Sequence, residues 1–311
     1  MTGIGRDTGH VLGAAQAWER LLGVRTGRQA EEAGLVRDKD GTWRWERDAS
    51  PEAEHLADLY VPLCLAGPRY AFAQLGQSVD GFIATRTGDA VYVTGEEDRL
   101  HLHRLRALAD AVVVGAGTAI ADDPRLTVRA CAGANPVRVV LDHRGRVLNG
   151  RRLFTDGSAP TLWVLAKGRR TAAHAVAGVE VVEVPCGESG FAPEYLLDAL
   201  AERGLGRVLV EGGGVTVSRF LHAEALQRLY VTIAPVLVGD GVPGLRFPGP
   251  ARMREALRAP SRRFVLGEDL LFELDLRAGE GAEDQHSGAG QARDEGEHAV
   301  HDGDGDPLGG S

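Results

Sequence analysis

The sequence VGAGTAIADDPRLTVR at residues 114–129 decides the fold class and the place of the functional site. It continues the apolar run Ala111–Val114, which is typical of a strand buried on both faces of a sheet. Gly115 and Gly117 would let backbone N–H groups approach a ligand, and the paired carboxylates and terminal arginine would supply polar contacts. We therefore expect a binding site at the C-terminal end of this strand.

Short apolar strands alternate with helical segments from Tyr70 onward, which is the pattern of an α/β domain with a largely parallel sheet. Two runs at the end, 264–266 and 269–276, are joined by a tight turn at Gly267, so the sheet should be mixed. The earlier strands are predicted at 71–75, 111–114, 137–141, 161–165, 179–184, 207–210 and 229–234.

The segments that flank the predicted domain, residues 69–277, differ from it in composition. Residues 1–68 predict a helical appendage of unknown role, with helices near 12–22 and 52–59. Residues 278–311 contain nine acids and one arginine, hence −8 of the chain's net charge of −9. Because this acidic tail has almost no large apolar side chain, we expect it to be disordered.

Charge and cysteine content exclude several classes of function. Without its tail the chain has a charge near −1, so we expect no nucleic-acid binding. No apolar run approaches the ~18 residues of a membrane span, and a cytoplasmic location is expected. The cysteines at 64, 131 and 186 lie far apart, so neither a disulfide framework nor a metal site is predicted.

A helix is predicted to begin with a capping box formed by Thr94 and Glu97. His101 and His103 follow at a spacing of two, which points them to different helix faces. They are therefore interpreted as surface or structural residues rather than metal ligands.

A second glycine cluster, VLVEGGGVTVSR at residues 208–219, also runs from a strand into a helix. Backbone N–H groups at that helix start, with nearby hydroxyls and an arginine, would suit a pyrophosphate or an extra phosphate. Close packing of strand against helix is the alternative, although it should require one glycine rather than three. The first cluster alone is weak, because Ile120 replaces the third glycine of the dinucleotide fingerprint and only Asp142 matches its acidic residue.

With LGQSVDGFIAT at 75–85 and PVRVVLD at 136–142, these blocks resemble the reductase half of the bacterial riboflavin-biosynthesis deaminase/reductase family. They occur in the family's order from about Tyr70 to Leu276, and the Asp-Asp-Pro block is the most specific. The resemblance implies a three-layer, dihydrofolate-reductase-like fold with helices on both faces of the sheet. It also implies a homodimer.

The activity that the resemblance implies is NADPH-dependent reduction of the ribosyl side chain of 5-amino-6-(5-phosphoribosylamino)uracil to the ribityl form. Hydride would go to C1′ of the opened imine, the imine nitrogen would take a proton, and cations would hold the substrate phosphate.

Carried over position by position, the resemblance implies site residues in two groups. The implied cofactor contacts are Gly76, Tyr92, Thr118, Asp122, Gly213, Gly214, Thr216, Ser218 and Arg219. The implied substrate contacts are Arg106, Leu126, Arg129 and Glu211. Asp122, Glu211 or a water between them are the candidate proton donors. Neither Arg106 nor Arg129 has an obvious acidic neighbour in the sequence. The two arginines together are predicted to clamp the substrate phosphate.

Two departures from the family pattern leave the substrate open. Gln74 stands where many members have lysine, and Ala90 where many have serine. An NADPH reductase of the same fold acting on another pyrimidine or a pterin is therefore an alternative. A non-catalytic nucleotide-binding protein is a further one, although the retained charged residues argue against it. No zinc-deaminase motif occurs in residues 1–68, so a stand-alone reductase is expected.

Overall fold

The computed structural model describes residues 11–91, 93–188 and 190–277. The predicted acidic tail and Tyr92 lie outside these described residues, and the described residues belong to one compact unit. The helices are α1 (Ala14–Leu22), α2 (Gly27–Glu32), α3 (Pro51–Cys64), α4 (Glu96–Leu108), α5 (Ala116–Ala121), α6 (Arg152–Thr155), α7 (Pro193–Ala201) and α8 (Gly214–His222).

The strands fall into one large sheet and two short antiparallel pairs. They are β1 (Leu35–Arg37), β2 (Trp43–Trp45), β3 (Tyr70–Ser78), β4 (Phe82–Thr85), β5 (Ala111–Gly115), β6 (Val137–Leu141), β7 (Thr161–Ala166), β8 (Val179–Val184), β9 (Arg207–Val210), β10 (Arg228–Ala234), β11 (Gly241–Pro243), β12 (Ser261–Leu266) and β13 (Asp269–Asp275). The short pairs are β1 with β2 and β4 with β11.

The large sheet has nine strands among the described residues, in the order β12-β13-β10-β3-β9-β5-β6-β7-β8. The strands from β10 to β8 run parallel, whereas β13 is antiparallel to both of its neighbours. The predicted α/β class with a mixed, mostly parallel sheet is thereby confirmed.

Both faces of the sheet are buried under helices. Because alternate side chains of a strand point to opposite sides, each central strand contributes to two cores. In β5, Val112 and Val114 enter one core, while Ala111 and Val113 enter the other. The first core is covered by α1, α3 and α4, and the second by α7 and α8. This double burial explains why the central strands are apolar without alternation.

The N-terminal segment shares the first core instead of forming one of its own. Trp18 and Tyr60 pack there with Leu105 of α4. Polar contacts join the same elements, since the Tyr60 hydroxyl lies 2.7 Å from His101 Nδ1 and the Trp18 indole donates to the Ala132 carbonyl at 2.8 Å. Residues 11–68 therefore support the back of α4.

The start of α4 differs from the predicted capping box. The helix begins at Glu96, its N-cap is Gly95, and no side chain caps it. The Gly95 N–H donates to Asp269 Oδ2 on β13 at 2.7 Å instead. The carboxylate that binds the start of the helix therefore comes from a distant part of the chain. Thr94 lies one residue before the N-cap position.

Among the described residues, no helix is long and apolar enough to cross a membrane.

Candidate active site

A cleft of about 690 Å³ opens at the C-terminal ends of β3, β9, β5 and β6. In this sheet β9 lies between β3 and β5. The chain leaves β9 toward β10 on one side and leaves β5 toward β6 on the other, so the strand order reverses between β9 and β5. Crevices at such reversal points are the usual ligand sites of open α/β sheets. Gly76, Gly115 and Glu211, from three of these strand ends, line the cleft.

The centre of the cleft contains a buried ion pair between Arg106 of α4 and Glu211 after β9. Arg106 Nε donates to Glu211 Oε1 at 2.8 Å and Nη2 donates to Oε2 at 2.6 Å, so both carboxylate oxygens are engaged. Arg106 has no obvious acidic neighbour in the sequence, but the structure gives it an acidic partner. The partner lies 105 positions away in the chain and is brought close by the parallel sheet.

This pairing stabilises the positive charge of Arg106. Burial alone would lower the pKa of Arg106, but the charge and hydrogen bonds of Glu211 outweigh it and raise that pKa. Both oxygens of Glu211 accept from the arginine, so this side chain is committed to the pair. The pair as a whole adds no net charge to the cleft.

Arg129 converges on the same place from the end of the Asp-Asp-Pro segment. Its Nη1 donates to Thr127 Oγ1 at 2.8 Å and to the Thr127 carbonyl at 3.5 Å, and Arg106 Nη1 donates to that same carbonyl at 3.2 Å. Loss of hydration and the charge of Arg106 lower the pKa of Arg129. The structure thus brings the two arginines together, with Arg129 exposed beside the cleft.

His103 positions the backbone of Arg129, whose N–H donates to His103 Nδ1 at 3.1 Å. Burial and the two arginines lower the pKa of His103 to about 4, so its ring is the neutral acceptor that this bond needs. His101 and His103 are both buried, so neither is a surface residue. Within the described part of the chain, no cluster of metal-ligating side chains is present.

The carboxyl group of Asp122 lies at the rim of the cleft, at the end of α5. Loss of hydration raises the pKa of this carboxyl group, so it holds its proton more readily than a fully hydrated aspartate does. Its neighbour Asp123 is turned away and accepts from Arg152, with Nε and Oδ2 3.1 Å apart. Of the two carboxyl groups predicted as proton donors, Asp122 is the better candidate, because its pKa is raised whereas both oxygens of Glu211 are engaged by Arg106.

The three glycines after Glu211 have different structural roles. Gly212 has φ of 99°, and a Cβ there would come within 2.7 Å of Thr118 Oγ1. A Cβ on Gly214 would collide with the Gly244 carbonyl, so this glycine is needed for packing. A Cβ on Gly213 would meet only Thr118 Oγ1 at 3.5 Å, which is an ordinary contact. The fold therefore explains two of the three glycines and leaves Gly213 free for a ligand.

The residues predicted to hold the cofactor phosphate do not all face the cleft. Thr216 and Arg219 line the cleft, as do Gly213 and Thr118, whose Oγ1 accepts from the Gly213 N–H at 2.9 Å. Ser218 does not face the cleft; it is buried, and its Oγ accepts from the Arg246 N–H at 2.8 Å.

A second cavity of about 770 Å³ lies next to the cleft and shares Arg219 with it. Arg246 and His222 also line this cavity, and Tyr195 and Phe247 contribute apolar surface. The two spaces together can take an elongated ligand with one end held by cations. The sequence analysis did not identify this cavity, because its walls come from four separate segments.

Gly76 and Leu126 both line the cleft, as the resemblance implies. A Cβ on Gly76 would come within 2.6 Å of Thr94 Cγ2, so the fold itself needs glycine there. Leu126 is buried with φ of 52°, a conformation that turns the chain sharply after the proline.

The sequence analysis also missed Asp98, a buried carboxyl in the cleft wall. Thr232 Oγ1 donates to Asp98 Oδ1 at 2.6 Å, and Gln74 Nε2 donates to it at 3.2 Å. An acid in the first turn of a helix has an ordinary explanation, so it carried no signal by itself. Asp142, by contrast, is structural, since its oxygens accept from the N–H groups of Arg146 and Val147.

Comparison with known proteins assigns this cleft to a family. The RibD C-terminal domain family matches residues 69–260. The chain belongs to this family. The matched residues contain the cleft and exclude the N-terminal segment, residues 1–68.

Two of its relatives in the family differ in length. A Methanothermobacter thermautotrophicus protein named 2,5-diamino-6-ribosylamino-4(3H)-pyrimidinone 5′-phosphate reductase is 34% identical over 222 residues, covering 67% of this chain and 98% of that protein. The riboflavin biosynthesis protein RibD of Bacillus amyloliquefaciens is 35% identical, covering 67% of this chain but 55% of that protein.

Among solved structures, the Thermotoga maritima diaminohydroxyphosphoribosylaminopyrimidine deaminase/5-amino-6-(5-phosphoribosylamino)uracil reductase superposes with a TM-score of 0.58 at 26% identity. The match covers 72% of this chain and 61% of that one. RibD-type relatives thus match over part of their length, whereas the archaeal reductase matches over nearly all of it.

Proposed function

We propose that this protein is an NADPH-dependent reductase that converts the ribosyl side chain of a 5-amino-6-(5-phosphoribosylamino)pyrimidine, the uracil in the first instance, to its ribityl form. The ribose ring opens to an imine, hydride adds to C1′, and the C=N electron pair takes a proton on nitrogen. The observation that carries the proposal is the Arg106–Glu211 pair with Arg129 beside it, in a family cleft at the sheet's reversal point.

The features of the cleft fit a nicotinamide dinucleotide phosphate. Gly117 and Gly213 line the cleft and have room for a side chain that the fold does not use, so a ligand can approach closely at both positions. Arg219 connects the cleft to the second cavity, where Arg246 supplies a further cation. When bound, NADPH would supply the hydride, and these cations would hold its extra phosphate.

The substrate phosphate is assigned to Arg129 with Arg106 in support. Because Arg106 is paired with Glu211, Arg129 is the arginine of the two that brings uncompensated positive charge to this end of the cleft. Arg106 retains N–H groups beyond the three that it uses, so it can still donate to a phosphate oxygen. Leu126 borders the same end of the cleft.

The proton is assigned to Asp122, directly or through a water. Its raised pKa makes the protonated carboxyl easier to populate than that of an ordinary aspartate, whereas the carboxyl oxygens of Glu211 are both engaged by Arg106. Glu211 is then the acceptor for N–H groups of the substrate, and its position is fixed by the arginine.

A panel assay tests the proposal. Purified protein and NADPH are mixed with the phosphorylated aminopyrimidine riboside, its dephosphorylated form and a set of pterins, and NADPH oxidation is followed by absorbance. We expect turnover of the phosphorylated pyrimidine above the others. Turnover of pterins alone would establish the alternative, a reductase of the same fold with another substrate, and binding of NADPH without turnover would establish a non-catalytic protein.

We further propose that the enzyme acts as a homodimer in the cytoplasm. Sedimentation at micromolar concentration tests the first point, and a monomer there would contradict it.

A further inference from the structure

The loop that carries Arg129 has no secondary structure to hold it. Residues 124–135, here called the arginine loop, form neither helix nor strand, and none of them takes part in a backbone–backbone hydrogen bond of the described structure. Side chains fix this backbone instead. The Thr127 carbonyl accepts from Arg106, and the Arg129 N–H donates to His103. The position of Arg129 therefore depends on a small number of side-chain contacts to the loop.

Beyond Arg129, the contacts to the arginine loop come from the N-terminal segment. The Trp18 indole N–H of α1 donates to the Ala132 carbonyl at 2.8 Å. Gly133, the next residue, has φ of 143°, and a Cβ there would come within 2.5 Å of a side chain of α4 and 3.4 Å of Leu22 Cδ2 on α1. Three residues of chain span at most about 11 Å, so a shift of Ala132 is passed on to Arg129.

Trp18 is itself held firmly. It is buried, its ring meets the Tyr60 ring edge-on with the centroids 5.4 Å apart, and the Arg104 guanidinium lies 5.6 Å from its ring centroid. Tyr60 belongs to α3, and Arg104 belongs to α4, the helix that also carries Arg106 and His103. The indole N–H therefore donates to the loop from a rigid support.

Trp45 shows what an indole of this segment does when it serves the segment alone. It is also buried, and its N–H donates to the Ala53 carbonyl at 2.8 Å. Both partners of that bond belong to the N-terminal segment, whereas the Trp18 bond reaches 114 positions along the chain to the arginine loop. Because the residues that match the family begin at position 69, the loop is braced by a part of the chain outside the family domain.

We propose that residues 11–68 position Arg129 for the substrate phosphate, and that Trp18 is the positioning residue, since its indole N–H ties the Ala132 carbonyl to α1. Trp18 contacts no reacting group and acts through Arg129. This role rests on the proposed function, in which Arg129 holds the phosphate. A loop that is already ordered loses less conformational freedom when its arginine binds a ligand. The N-terminal segment thereby contributes to substrate binding without lining the cleft.

The test is Trp18→Phe, which removes the donor and keeps an aromatic ring in the core, with Trp45→Phe as the matched control. In Trp18→Phe we expect KM for the phosphorylated aminopyrimidine riboside to rise by on the order of threefold to tenfold, the effect of one net hydrogen bond. The kcat, the KM for the dephosphorylated riboside and the affinity for NADPH should keep their wild-type values, because they do not depend on Arg129. Trp45→Phe should change none of these quantities.

A double-mutant cycle tests whether the effect passes through Arg129. In an Arg129→Ala background, Trp18→Phe should cause no further loss on the phosphorylated substrate, because the arginine to be positioned is absent. An unchanged KM in Trp18→Phe, equal increases for the two substrates, or a full additional loss in the double variant would overturn the positioning role and leave the reductase function intact. If Trp18→Phe does not fold, Leu22→Ala removes the neighbouring contact to Gly133 and must raise the same KM.

Hydrogen exchange tests the positioning role without any substrate. The N–H groups of Val128 and Arg129 are hydrogen-bonded to side chains, so their exchange rates, followed by NMR, report opening of the arginine loop. Both amides should exchange faster in Trp18→Phe than in the wild-type protein, and at the wild-type rate in Trp45→Phe. If neither riboside is reduced, the proposed function fails and the exchange rates alone decide. Wild-type rates in Trp18→Phe would then overturn the positioning role as well.

Discussion

Replacing Arg106 with alanine should destabilise the protein through Glu211, because both oxygens of that carboxylate accept from the arginine. The two side chains are 8% and 6% exposed, so the variant would leave a charge buried without its partner. Removing one partner of a buried pair costs about 3–5 kcal/mol of unfolding free energy. For a domain of this size, such a loss lowers the Tm by on the order of 10 °C.

The assay is thermal unfolding followed by circular dichroism, with two matched variants. Arg106→Ala/Glu211→Gln removes the unpaired charge as well, so it should recover a large part of the lost stability. Arg129→Ala changes an exposed arginine beside the cleft and should shift the free energy of unfolding by about 0.5 kcal/mol or less. A Tm for Arg106→Ala equal to that of Arg129→Ala would refute the buried pair and the assignment of charge built on it.

The remaining predictions concern ligands. Arg129→Ala should lower kcat/KM for the phosphorylated substrate on the order of 30-fold, which corresponds to about 2 kcal/mol of transition-state stabilisation. The effect on the dephosphorylated substrate should be much smaller. Equal losses on the two substrates would argue against a phosphate contact. Gly213→Val should weaken NADPH binding in fluorescence titration with little change in Tm, since only Thr118 lies near the added Cβ; Gly214→Val, the matched control, should lower the Tm. Arg219→Ala should reduce the affinity for NADPH more than that for NADH, and an equal loss for both would remove it from the extra phosphate.

Asp122 gives a prediction of pH dependence. Because its pKa is raised, its proton-donating form persists above the ordinary range of a carboxyl group and is lost as the pH rises through the raised value. The activity should therefore fall on that alkaline limb, and Asp122→Asn should lower kcat and abolish the limb. An unchanged pH profile in the variant would assign the proton to another group.

The sequence predicted the fold well because the decisive signals are local. Apolar strands such as Ala111–Val114 end in glycines, and the structure places the cleft at those strand ends. The predicted capping box of α4 was wrong because the N–H of the N-cap residue donates to Asp269, 174 positions away. No local pattern reports such a contact.

The site was predicted in outline, and its charges were not. Arg106 and Glu211 were identified individually, but their pairing depends on the order of strands, which the sequence does not specify residue by residue. The glycines at 212–214 look identical in sequence, and only their backbone angles and neighbours separate those needed for the fold from Gly213. Asp98 was missed because its place in the cleft wall depends on which face of α4 packs toward the sheet.

The central claim, hydride transfer to C1′ of a phosphoribosylaminopyrimidine, is tested most directly by isotope labelling. The protein is incubated with NADPH deuterated at the transferable C4 position and the phosphorylated substrate, and the product is examined by mass spectrometry and NMR. We predict a ribitylamino product with one deuterium at C1′. A product without deuterium at C1′, or deuterium in the heterocycle, would contradict the proposed reaction.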